Sequence, residues 1–229
     1  MQMADFIDLT APDGFVFPAY EARPAGLAKG AVIVLQEIFG LNAHIRAVAD
    51  GYAAQGYLAL APATFHRVKA AVDLAYTADD IAAGVTLKAA VETMPAPGVL
   101  QDIQAAINYA AKTGKVGVVG YCWGGLLTWR AACLLSGLSA AVPYYGGGMT
   151  SAAEIGRQPT CPVLAHFGAQ DTSIALASVA AFQRAHAEVE VHIYPAGHGF
   201  NCDHRSAYDA AAAALARERT LDFFTRHLG

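Results

Sequence analysis

Residues 31–35, Ala-Val-Ile-Val-Leu, are apolar at every position, with no alternation of apolar and polar side chains. A strand with one face in water alternates with a period of two, so an unbroken apolar run predicts a strand covered on both faces. Strands of that kind belong to parallel sheets, whose crossover connections lay helices over each face. The rest of the chain fits this requirement. Short apolar runs at 57–61, 116–119, 140–144, 163–167 and 189–194 alternate with helical patterns. Helices are expected after the cap at Asn42 and over 79–93 and 99–111. Others should run from the turn at 120–124 to about 135, and over 174–186 and 205–227, with a shorter piece at 70–74. Pro12-Asp13-Gly14 is a turn signal between 6–9 and 15–20, which predicts an opening antiparallel hairpin. The expectation is an α/β chain with a mostly parallel central sheet, helices on both faces and an N-terminal hairpin. No repeat, linker or low-complexity segment divides it, so one domain over 1–229 is expected.

Composition narrows the partners. A hydrophobic fraction of 55% against 15% charged supplies a large core and argues against disorder. The net charge is −4 and no Lys/Arg cluster occurs, so no nucleic-acid partner is expected. No apolar run approaches the roughly 18 residues of a membrane span, and residues 1–6 lack the regions of a secretion signal. Cys122, Cys133, Cys161 and Cys202 have neither disulfide-framework nor metal spacing, so reduced thiols in a cytoplasmic setting are expected. Nothing in the sequence sets an oligomeric state.

The chemistry concentrates in Val118-Val119-Gly120-Tyr121-Cys122-Trp123-Gly124-Gly125. This has the G-x-S-x-G form of a nucleophile elbow, with cysteine in the place of serine. The elbow is a strained strand-to-helix turn, and Gly120 and Gly124 would let backbone approach where a Cβ could not. The helix N-terminus that follows favours a thiolate, and the next N–H can hold an oxyanion. An acid and a base should then follow later strands. Asp171 follows 163–167, and His198 follows 189–194. Each has a bland reading alone: a structural cysteine at a glycine-flanked strand end, a helix-capping aspartate, a loop histidine. Their order at successive strand ends makes coincidence a poor account. No G-x-G-x-x-G or G-x-x-x-x-G-K-[ST] occurs. His198, Cys202, Asp203 and His204 fit no familiar zinc spacing, and a triad histidine is already committed, so neither metal nor cofactor is expected.

Three motifs carry a resemblance: Gln36-Glu37-Ile38-Phe39-Gly40-Leu41-Asn42, Gly120-Tyr121-Cys122-Trp123-Gly124-Gly125 and Ala196-Gly197-His198-Gly199-Phe200. With the ending at 217–223, the chain resembles the dienelactone hydrolase (carboxymethylenebutenolidase) family. The resemblance implies an α/β-hydrolase that cleaves a small ester or lactone through a thioester on Cys122, with Asp171 and His198 completing the triad. It implies that Glu37 takes the thiol proton when substrate displaces its carboxylate, and that the Ile38 and Trp123 N–H groups form the oxyanion hole. Phe39, Trp123, Tyr144, Tyr145 and Phe200 are expected at the substrate pocket, though core packing is an equal reading for the tyrosines. The family's two carboxylate-binding arginines are missing from the matching stretches 82–85 and 198–202. Arg205 is near enough to substitute, or else it only leads into the last helix. A broad carboxylesterase or thioesterase, or a ligand-binding relative without turnover, remains the alternative.

Overall fold

The computed structural model describes residues 3–229. β1 (Met3–Thr10) and β2 (Val16–Arg23) form the expected antiparallel hairpin. Six further strands run parallel to one another: β3 (Ala31–Leu35), β4 (Leu58–Pro62), β5 (Val116–Tyr121), β6 (Leu138–Tyr144), β7 (Leu164–Gly168) and β8 (Glu190–Tyr194). The sheet order is β1-β2-β4-β3-β5-β6-β7-β8, and β2 joins the parallel set by antiparallel pairing with β4. Every residue of β3 and β5 is buried, as the unbroken apolar run requires.

The covering helices are α1 (Ala43–Ala54), α2 (Ala78–Glu92), α3 (Leu100–Ala110), α4 (Trp123–Leu134), a single turn α5 (Ala152–Ile155), α6 (Leu176–Ala185) and α7 (Ala210–Leu228). Side chains alternate along β5, and its glycines show what lies on each face. A Cβ at Gly117 would stand 2.8 Å from the Phe224 ring of α7, whereas one at Gly120 would strike Gly124 and Thr128 of α4. α1 shares the α7 face, where the Tyr52 and Phe224 rings meet edge-on at 5.9 Å. α3 packs with α4 on the other face. This mixed, mostly parallel sheet with a leading hairpin matches the α/β-hydrolase expectation.

Asn42 caps α1 as its position suggests, its side chain accepting from Ile45 N–H. Two expected helices differ. Residues 70–74 are not helical: Ala71 has φ 52°, and Asp73 bridges to Gly40. The final helix starts at Ala210, not at 205, because the Asp209 carboxylate accepts from Ala212 N–H and caps it there. Residues 199–208 instead fold as successive turns, with Cys202, Arg205 and Tyr208 N–H donating to the carbonyls of Gly199, Cys202 and Arg205. Arg205 is thereby freed from the helix face on which periodicity had placed it.

An arginine ties the hairpin turn to α3, beside the bond from Tyr109 of α3 to Glu21 of β2 at 2.8 Å. Arg67, just after β4, gives Asp102 of α3 a bidentate pair at 2.6 and 2.8 Å and reaches Asp13 in the hairpin turn at 2.8 Å. Asp102 is fully buried, and burial pushes its carboxyl up despite the arginine. Removing one partner of a buried pair strands the other charge. Arg67→Ala should therefore lose about 3–5 kcal/mol in denaturant unfolding. The deficit should widen as pH rises, because the folded variant must keep a proton on Asp102 that the unfolded chain gives up. A loss within the range of an exposed ion pair, under about 1 kcal/mol, would show that the hairpin does not depend on this contact.

Candidate active site

Cys122 sits alone between β5 and α4, with φ 55° and ψ −114°. A side chain in that region is strained, and the surroundings hold it there. Its N–H donates to Tyr144 O at 3.1 Å, and its carbonyl accepts from Gly125 and Leu126 N–H. A Cβ at Gly124 would collide with the Leu35 carbonyl and stand 2.5 Å from that of Gln36. A Cβ at Gly125 would come within 2.6 Å of the Tyr144 carbonyl. The glycines thus let α4 start against the ends of β3 and β6, which is the spatial reason given for them in the sequence.

Because β3, β5, β7 and β8 are parallel, their C-terminal ends open at one edge, where ligands bind in sheets of this kind. The loops after β7 and β8 bring the predicted acid and base to Cys122. His198 Nε2 lies 3.0 Å from Cys122 Sγ, and its Nδ1 lies 2.7 Å from Asp171 Oδ2. Asp171 does not cap the next helix, whose N-cap is Ala175, but it does face the imidazole. Its Oδ1 accepts from Ser173 and Ile174 N–H at 2.7 and 3.1 Å, which fixes the carboxylate and leaves Oδ2 for the imidazole. Burial works against charge on His198, but hydrogen bonds to Asp171 and Cys122 outweigh it and push the group up to about 10.

The loop after β3 carries Glu37 and Ile38. Glu37 is 1% exposed, and its hydrogen-bond partner is Arg205, with Nη1 donating to Oε1 at 3.1 Å; the second oxygen, Oε2, meets none. The Arg205 guanidinium passes close over Gly199, where a Cβ would stand 2.6 Å from Nη1. The Ile38 and Trp123 N–H groups meet no acceptor among the described residues, as oxyanion donors require. Gly84 of α2 packs directly on the Ile38 carbonyl. The stretch 82–85 therefore adjoins the oxyanion loop, and it brings no arginine there.

The aromatic candidates divide. Tyr145, at φ 35°, lies edge-on to His198 with ring centres 5.2 Å apart, and its buried hydroxyl has no partner. Phe200 is fully buried behind Tyr145, also at 5.2 Å. Phe39 packs on Tyr76, with the Arg205 guanidinium over its ring at 5.7 Å. The Trp123 ring turns away into the core, stacking on Phe65 and donating to Glu92 at 2.8 Å, and Tyr144 is tied to Thr220. A cavity of about 380 Å³ opens beside Gln36 and Phe65, but it is lined by none of the triad residues. Sequence reasoning missed His44. It is buried, with Nδ1 3.1 Å from Asp203, and it lies near Glu37 and Cys202. The cluster considered in the sequence does not assemble around His198, which faces Cys122. No local spacing could link His44 to a loop more than 150 residues away.

The model of the dienelactone hydrolase family matches residues 17–228. A Salmonella typhimurium protein provisionally named a carboxymethylenebutenolidase is 38% identical over 231 residues, covering 93% of this chain and 83% of its own. The carboxymethylenebutenolidase of Pseudomonas putida is 33% identical, with 96% of each chain covered. A crystal structure from Klebsiella pneumoniae, provisionally named a dienelactone hydrolase, superposes with a TM-score of 0.83 at 31% identity, covering 99% of this chain and all of that one.

The raised His198 has a measurable consequence. A charged His198 stabilises the folded site fully below its unfolded value of about 6.5, and that contribution is lost as pH rises through about 10. In a ¹⁵N NMR titration the His198 ring should lose its proton close to pH 10. Asp171→Asn should bring the midpoint down. A midpoint for the parent in the ordinary imidazole range would mean that the Asp171–His198–Cys122 chain does not hold the proton.

Proposed function

Because the chain belongs to the dienelactone hydrolase family, we propose that it hydrolyses a small ester or lactone through a thioester formed on Cys122. The observation that supports this most is the hydrogen-bonded run Asp171 Oδ2, His198 Nδ1, His198 Nε2, Cys122 Sγ, at 2.7 and 3.0 Å. It has the layout of an activated nucleophile: a base within reach, itself oriented by a carboxylate.

The steps follow from those positions. Substrate enters beside Arg205 and disturbs its pair with Glu37. The freed carboxylate, already buried with one oxygen unmatched, becomes a stronger base and takes the Cys122 proton. The thiolate attacks the acyl carbon, and the oxyanion rests on Ile38 and Trp123 N–H. His198, protonated and held in one orientation by Asp171, gives its proton to the leaving alkoxide. It then takes one from water, whose hydroxide adds to the thioester carbonyl. The intermediate expels the Cys122 thiolate, which takes back the proton held on Glu37, and the acid is released. Tyr145 and Phe39 would flank the reacting group, with Phe200 supporting Tyr145 from behind.

Limiting iodoacetamide should label Cys122 first and abolish hydrolysis of p-nitrophenyl esters in step with the label. Cys133, Cys161 and Cys202 should react later, since burial pushes their thiols up to about 12, 11 and 11. Cys122→Ala should lower kcat about 10⁴-fold, as removal of a triad member does elsewhere. Full activity in protein alkylated at Cys122 would end the assignment.

The pocket also bears on substrate charge. Its one arginine is already paired with Glu37, and the stretch 82–85 supplies no second. A substrate carboxylate would have to compete for Arg205 or pay for its own desolvation. Neutral lactones should therefore match or exceed anionic ones in kcat/KM, measured on a size-matched pair. A parent preference for the anion of about tenfold, or about 1.4 kcal/mol, that collapses in Arg205→Ala would reverse this and make Arg205 the carboxylate's partner.

A further inference from the structure

Behind Arg205, Glu37 belongs to a second constellation that the proposed hydrolysis does not use. A Glu37 carboxylate oxygen, a ring nitrogen of His44 and Cys202 Sγ all lie within 4.8 Å of one another, and all three residues are buried. Glu37 and His44 are 1% and 4% exposed, and Cys202 is inaccessible. The other functional atoms of these residues are already engaged. Glu37 Oε1 accepts from Arg205, so Oε2 is left over; His44 Nδ1 faces Asp203 Oδ1 at 3.1 Å, so Nε2 is left over. Neither leftover atom meets a hydrogen-bond partner among the described residues. With Nδ1–H donating to Asp203, Nε2 presents a lone pair, and an ionised Oε2 presents another. Two acceptors cannot satisfy each other, and burial denies them bulk water. The third group, Cys202, neighbours Tyr76, whose hydroxyl accepts from Asn42 Nδ2 at 3.0 Å.

The geometry points to a binding site for a divalent transition-metal ion of the zinc type, held by Glu37 Oε2, His44 Nε2 and Cys202 Sγ. Imidazole, thiolate and carboxylate are the ligand set of zinc, and its bond lengths put neighbouring ligand atoms roughly 3.3–3.8 Å apart, inside the observed limit. The carboxylate behind the imidazole is the outer-shell partner that metal-bound histidines commonly have. Charge also balances. The Glu37 and Asp203 carboxylates and a Cys202 thiolate oppose Arg205, and a dication neutralises the set. On binding, the Cys202 thiol releases its proton to solvent and the sulfur, nitrogen and oxygen lone pairs coordinate; no electron is transferred. One consequence rests on the proposed function: an ion on Oε2 takes away the base assigned to Glu37, so zinc would slow hydrolysis reversibly.

The test separates this site from Cys122 and His198, which could themselves attract a thiophilic metal. Full-length Cys122→Ser protein, stripped by chelation, is titrated with Co²⁺ and read by absorption. A thiolate-to-cobalt charge-transfer band with intense four-coordinate ligand-field bands is expected, and added Zn²⁺ should bleach both. Cys202→Ser on that background should lose the charge-transfer band. Asp203→Asn, a change at an exposed outer-shell residue, should weaken binding about 10–100-fold without touching a ligand. Absence of the band in Cys122→Ser protein overturns the inference and leaves a bridging water as the occupant. Persistence of the band without Cys202, or unchanged affinity in Asp203→Asn, overturns it too. These readings need no turnover, so they stand even if Cys122 proves not to be the nucleophile.

Discussion

The backbone at Cys122 adopts a conformation that side-chain-bearing residues avoid, at a cost of about 1–3 kcal/mol. It persists because three glycines let a helix begin in contact with the carbonyl ends of its neighbours. Gly120 meets Gly124 across the turn, Gly124 meets Leu35 and Gln36, and Gly125 meets Tyr144 and Gly146. Most of those contacts are to backbone, which cannot swing aside as a side chain can. The turn is therefore fixed by β3, β5 and β6 together, and it keeps its shape only while those strands keep their register. This dependence also runs outward. Once the sulfur projects from the end of β5, the parallel topology gathers the loops after β3, β6, β7 and β8 at that edge, and these carry Glu37, Tyr145, Asp171 and His198.

Electrostatics then limits how those loops can be used. A buried charge needs a partner, and the site answers in pairs: His198 with Asp171 and Arg205 with Glu37. The pairs differ in completeness. Asp171 has both oxygens engaged, one on backbone N–H groups and one on the imidazole, so it behaves as a fixed element. Glu37 has one oxygen engaged and one without a partner, and its cation is a long side chain entering from a turn. The less saturated pair is the one that can exchange partners at lower cost. The same incompleteness suits it either to accept a proton or to coordinate an ion.

Most of the sheet could be read from the sequence because a strand buried on both faces has no polar positions to hide. The juxtaposition of Cys122, His198 and Asp171 was legible for a related reason. The glycines around Cys122 and the places of all three at strand ends leave a local signature, and chain order supplies the rest. What escaped was of two kinds. Residues 70–74 have helical composition, but Asp73 is drawn into a bridge with Gly40, a tertiary contact that propensity cannot foresee. His44 sits one helical position before Ile45 and reads as part of an ordinary amphipathic face. Its significance lies in neighbours from the other end of the chain, and no periodicity links the two. Trp123 shows the converse. It stands next to Cys122 in the motif, yet its indole belongs to the core with Phe65 and Glu92.

The loop after β8 shows why spacing alone misreads this site. Positions 198, 202 and 205 would share one face of a helix, so helical periodicity would group the histidine, the cysteine and the arginine together. Gly199 at φ 83° prevents that continuation, and Asp209 delays the helix until Ala210. Between them the backbone folds in turns that send the three side chains to different partners: His198 to Cys122, Cys202 toward Tyr76 and His44, and Arg205 to Glu37. A Cβ at 199 would strain the turn and press on the Arg205 guanidinium, which, unlike backbone, can shift aside. An arginine seven residues beyond the histidine thus pairs with Glu37, although the expected positions nearer the histidine hold none.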